Sequence, residues 1–119
     1  MPALFDAAHG ELVRFLLILA RVSPLMIVAP LWGSSLVPAR VRVFLAMLVA
    51  ALLLPAVRTP LPPGVDATPG ALAVAVALEL LTGYLIAFAG LALFAGAQLA
   101  GQLVDIQIGF GVANVIDPL

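Results

Sequence analysis

The feature that most constrains this chain is the run from Leu80 to Val104, which contains no charged residue. Wound as a helix at about 1.5 Å per residue, it is long enough to cross the roughly 30 Å hydrocarbon core of a bilayer. The run is not uniformly oily. Gln98, Gln102 and Asp105 fall at i, i+4 and i+7, so a helix places them on one face. Ala92, Gly96 and Ala100 recur every fourth residue on another side. Gly109-Phe110-Gly111 then interrupts the helical pattern, and Asp117-Pro118 closes it.

Small residues let a neighbouring backbone come close, and amides in a membrane need partners that lipid does not offer. Each interhelical hydrogen bond there is worth roughly 0.6–2 kcal/mol, so two glutamines do not hold a complex by themselves. Three placements of Gln98 and Gln102 stay open at this point. They pair inside a helix bundle, they line a water-filled path, or the segment ends before Gln98 and leaves both in solvent. Ala92, Gly96 and Ala100 are the expected helix-packing positions.

Composition agrees with a membrane or assembly environment. The 119 residues are 65% hydrophobic and 9% charged, against about 45–50% and about 25% in ordinary soluble domains. The five basic residues are all arginine and net charge is −1, so no basic patch supports binding to nucleic acid. The chain has no cysteine and one histidine. That leaves no thiol chemistry, no metal-ligand cluster and no nucleophile–base pair, and no cofactor is expected. His9 lies near a terminus and reads as solvent-exposed. The first apolar stretch lacks the positive flank of a signal peptide, since Asp6 and Glu11 precede it, and reads as retained.

The first apolar segment is Leu12–Trp32, with Met1–Gly10 short and mixed ahead of it. Arg14 is near its end and can snorkel. Arg21 is deeper, where an arginine costs about 2.5–3.5 kcal/mol on insertion scales, so it needs protein, water or a carboxylate. Glu79 and Asp105 are the partners within the chain, and a neighbouring subunit is the third possibility. Arg21 and Glu79 are therefore the expected buried charges. Pro24 should kink the helix after Val22, and Pro30 and Gly33 end it. Gly33–Arg42 is a connection in which Ser35 can cap and Pro38 can open the next helix. Val43–Val57, about 22 Å as a helix, is short for a span, with Pro55 loosening its end. Arg58–Gly70 is rich in proline and reads as a loop. Thr68-Pro69 reads as the cap and first residue of the third helix. The arginines flanking the second segment nearly balance, so they set no orientation.

Several ordered blocks carry a family resemblance. Pro30-Leu-Trp-Gly33, Val37-Pro-Ala-Arg-Val-Arg42, Glu79-Leu-Leu-Thr-Gly83, Gly101-Gln102, Gln107-Ile-Gly109 and Asp117-Pro118 together resemble the N-terminal half of the FliR family. These are flagellar type III export-gate proteins, related to the T subunits of virulence injectisomes. The resemblance implies a non-enzymatic subunit that assembles with the P and Q export-gate subunits. The assembled core lies in the bacterial inner membrane at the flagellar basal body, and unfolded exported proteins pass through it. It also implies a plug loop at Gln107, Gly109, Phe110, Gly111 and Ala113. The family continues beyond the Asp-Pro motif, so residues 1–119 read as one FliR-like helical region without the family's C-terminal half.

The expected fold is all-α. About three to four kinked, membrane-associated helices pack as hairpins within a multi-subunit helical core, in contact with lipid. Two other readings stand beside it. One is a small ion or solute channel fragment in which Arg21, Glu79 and Asp105 relay charge; the other is an injectisome export subunit.

Overall fold

Three helices form. They are α1 (Pro2–Val28), α2 (Ala39–Leu53) and α3 (Pro69–Ile108). The computed structural model describes residues 2–29, 37–58, 60–65 and 68–109. No strand occurs among the described residues, and the fold is all-α.

α3 starts where Thr68-Pro69 predicts. Thr68 is extended and its Oγ1 accepts the Ala71 N–H at 3.3 Å. Such a cap contributes about 1 kcal/mol, and Pro69 occupies the first turn, where no donor is needed. The helix then runs for 40 residues, about 60 Å at the usual rise. It stops at Gly109, whose φ of 84° is left-handed and whose N–H reaches the carbonyls of Asp105 and Ile106. Glycine takes that conformation without a Cβ clash. The predicted interruption at Gly109 is therefore a helix C-cap.

The other two helices differ from the expected boundaries. α1 begins at Pro2, not Leu12, so the mixed N-terminal segment is helical. Gly10 is the one weak helix former between Ala3 and Leu12. Its cost of about 1 kcal/mol falls on a helix already nucleated, where each added residue gains a bond. α1 also continues through Pro24 to Val28. Pro24 leaves the Ala20 carbonyl without its usual donor, while the Ser23 hydroxyl donates to the Leu19 carbonyl at 2.6 Å. The proline ring is fully buried, and that packing offsets the missing bond. α2 spans Ala39–Leu53, not Val43–Val57. Pro38 is its N-cap and starts it early, Pro55 cannot extend it, and Arg42 Nη2 donates back to the Val37 carbonyl at 2.9 Å. The ending at Pro30–Gly33, the Ser35 cap, Phe110, Gly111, Ala113 and Asp117-Pro118 lie outside the described residues.

α1 is the central element and packs on both others, whereas α2 and α3 do not pack on each other. Val13 and Leu17 of α1 cluster with Ala75, Arg21 meets Glu79, and Pro24 meets Gly83. These contacts advance together along both chains, so α1 and α3 run parallel, with residue n near n+58. α2 packs antiparallel, through Ala46 and Ala50 against Ile18 and Val22. Its C-terminal end, at Leu54 and Pro55, lies beside Glu11 and Arg14. The connection to α3 tucks Val65 under the Val13–Leu17–Ala75 cluster.

This register explains the burial along α3. Because α1 ends at Val28, its support reaches only to about residue 86. Ala87, 3% exposed, is the last buried residue of α3, and every residue from Leu91 to Gly109 is exposed. About 27 Å of helix, residues 91–108, therefore runs on without a neighbour among the described residues. The accessible surface is 8786 Å², against about 6,100 Å² for a folded monomer of this mass. Among the described residues α3 is the one helix long and apolar enough to cross a membrane, and little of it is buried by the rest of the chain. The protein is a membrane-associated helical chain whose longest helix is half covered.

Candidate functional site

Two features stand out: a polar pin where α1 crosses α3, and the uncovered half of α3. The pin is built from four residues. Arg21 donates from Nε to Glu79 Oε2 at 2.5 Å and from Nη2 to Glu79 Oε1 at 3.0 Å. This fork-on-carboxylate geometry is the strongest form of the pair. One turn further on, Gly83 is buried against α1. A Cβ on Gly83 would overlap the Arg21 carbonyl oxygen and lie 3.1 Å from Pro24 Cγ. The missing side chain admits the α1 backbone and the Pro24 ring. Glu79 and Gly83 are four residues apart, so one face of α3 supplies both the carboxylate and the notch.

Of the three partners open to Arg21, the structure uses Glu79. Asp105 lies some 26 residues further along α3, about 39 Å away along the axis, and is out of reach. The expectation of buried charge is corrected. The side chains of Arg21 and Glu79 are 51% and 25% exposed, because α2 and α3 flank α1 without closing over this face. An exposed pair contributes about 1 kcal/mol at most. Reversing Arg21→Glu replaces attraction by repulsion and should lower stability by about 1–2 kcal/mol. Adding Glu79→Arg should restore most of it, as read by denaturant unfolding in detergent.

The uncovered half of α3 carries the other residues singled out by the sequence. Gln98, Gln102 and Asp105 are all exposed, as are Ala92, Gly96 and Ala100. A Cβ on Gly96 or Gly101 would meet nothing within 4 Å. Among the described residues, the small-residue positions therefore pack on nothing and the amide face has no partner. Between them project Leu93, Leu99, Leu103 and Ile106, each at least 60% exposed. Gln107 and Gly109 end this stretch.

Nothing in the residue pattern alone separates Gly83 from the other glycines of α3. Among the described residues no three of His, Cys, Asp and Glu come together as a metal site, and His9 is exposed.

Residues 12–119 match the family described as bacterial export proteins, family 1. The chain belongs to this family. Its curated relatives in the FliR family agree. The flagellar biosynthetic protein FliR of Bacillus subtilis (strain 168) is 33% identical over 104 residues, 87% of this chain and 39% of the relative. That of Caulobacter vibrioides is 30% identical over 102 residues, 86% of this chain and 40% of the relative. The chain thus spans about two-fifths of the length of these FliR relatives. No solved structure matches it. For a FliR-family chain, the pin fixes α1 to α3 and leaves the distal half of α3 presented for contact.

Proposed function

We propose that the protein is a structural, non-enzymatic subunit of a type III protein export gate. The gate lies in the bacterial inner membrane at the flagellar basal body, and P and Q subunits complete its channel core. The observation that carries this reading is the distal half of α3 in a chain of an export family. About 27 Å of helix has small residues on one side, amides and a carboxylate on another, and apolar side chains between, all uncovered. Water disfavours the apolar part and lipid disfavours the amides, so neighbouring protein helices are the environment that suits both. Unfolded flagellar proteins are the cargo in this reading, and the flagellar description of both relatives favours the flagellum over the injectisome. A relay of charge through Arg21, Glu79 and Asp105 has less support. Arg21 and Glu79 neutralise each other, and Asp105 is far from both.

Gln107, Gly109, Phe110, Gly111 and Ala113 form the channel plug in this reading. Gly109 ends α3 with a left-handed residue, which redirects the chain at the tip of the uncovered helix. Deleting the gene should abolish swimming and secretion of flagellar subunits. Deleting residues 109–113 alone should instead raise ion leakage across cells that still assemble the gate. Normal swimming in the gene deletion would sink the export reading. Unchanged leakage in the loop deletion would sink only the plug.

A further inference from the structure

Beside the pin, α1 faces a hollow of about 370 Å³ whose walls include Leu17, Ile18, Val22, Leu53 and Leu78. A second hollow of about 570 Å³ lies beside the middle of α1 and is lined by Glu11, Arg14, Leu54, Pro55 and Arg58. Arg14 lines both, so its side chain borders each of them. The second hollow is lined mainly by charged residues and the first mainly by apolar ones, with Arg21 and Glu79 also in its wall. Ligand pockets commonly fall in the range of about 300–1,000 Å³.

The charges are unequal. Arg14 pairs with Glu11 at 2.6 Å and Arg21 with Glu79. Arg58 donates from Nε to the Pro55 carbonyl at 3.3 Å, and its charge is matched by no carboxylate among the described lining residues. In a chain of net charge −1, the described lining residues therefore carry one excess positive charge. It sits midway along α1, where α3 begins and α2 ends. From Arg14 the apolar wall continues about 12 Å along α1 to Val22. Basic pockets between membrane helices are a recurrent place for anionic lipid headgroups.

We propose that the two hollows together hold one anionic phospholipid. Its phosphate lies between Arg14 and Arg58, and one acyl chain starts along Leu17, Ile18 and Val22. A soluble phosphate would satisfy the arginines and leave the apolar wall wet. A zwitterionic lipid offers the same phosphate but adds a cation, so its net charge does not match the excess.

The test is native mass spectrometry of the full chain in nonionic detergent. Phosphatidylglycerol is titrated against phosphatidylcholine with identical acyl chains. The expected result is at least tenfold stronger retention of phosphatidylglycerol, with glycerol phosphate at equal concentration failing to displace it. The double variant Arg14→Gln, Arg58→Gln should lose the preference. Arg40→Gln with Arg42→Gln, at the opposite end of α2, should keep it, and circular dichroism checks that both variants stay helical. Equal retention of the two lipids would overturn the proposal. So would displacement by glycerol phosphate, or the same loss in the Arg40/Arg42 variant. If the Arg14/Arg58 variant unfolds, the lipid comparison and the glycerol phosphate competition on the unmodified chain still decide.

Discussion

Gly83→Leu is expected to separate α1 from α3 and to lower stability by about 3 kcal/mol, a large share of the 5–15 kcal/mol typical of a folded domain. A Cβ at this position would run into the backbone carbonyl of Arg21 and crowd the buried Pro24 ring. Neither obstacle is a flexible side-chain end, so the helices themselves must move apart. Overpacking of this kind typically costs 1–3 kcal/mol. Moving α3 outward also pulls Glu79 from the Arg21 fork one turn away. Even Gly83→Ala should destabilise measurably, because the overlap begins at the first carbon. Gly90→Leu is the control, since nothing lies within 4 Å of a Cβ there. Replacing a helical glycine in open space should leave stability unchanged or raise it by up to about 1 kcal/mol. Denaturant unfolding of both variants in detergent, followed by circular dichroism, separates these outcomes.

Gly96→Leu is expected to do the reverse: to leave the isolated chain folded and to break its assembly. A Cβ at Gly96 meets no atom of the described residues within 4 Å, so the chain's own stability should hold. In the proposed gate, Ala92, Gly96 and Ala100 face a partner backbone, and a leucine there forces that backbone away. An overpacking cost of 1–3 kcal/mol corresponds to roughly ten- to a hundredfold weaker association. Co-purification with the P and Q subunits should fall accordingly. Replacing Gln98 and Gln102 by leucine should weaken it less, because each hydrogen bond is worth roughly 0.6–2 kcal/mol. If Gly96→Leu co-purifies as well as the parent chain, the small-residue positions are not an interface.

The helices were legible to different degrees, for physical reasons that differ by position. The start of α3 could be read because Thr68-Pro69 is a local signal, a side-chain acceptor followed by a residue that needs no donor. Its end could be read because Gly109 is where the chain requires a left-handed residue. The start of α1 could not, since Pro2–Gly10 has no periodic face and becomes helical by extension from its neighbours. The persistence of α1 through Pro24 is a tertiary effect. The lost backbone bond is tolerated because the ring fills the notch at Gly83, and no local pattern reports that meeting. The Arg21–Glu79 pair was one of three open choices because charge alone names candidates and register selects among them. Only the parallel packing of α1 on α3 puts residue 21 beside residue 79 and leaves Asp105 remote.

The same register bears on what covers the rest of α3. Its uncovered length follows from where α1 stops, so no rearrangement of side chains can cover it from within the described residues. The most direct measurement is photo-crosslinking in cells from a photoreactive residue placed at Leu99, in the middle of that stretch. The account predicts strong adducts with other export-gate proteins, and much weaker ones from the same probe at buried Ala50. Adducts to lipid alone at Leu99, with the protein present in membranes and cells still swimming, would contradict it.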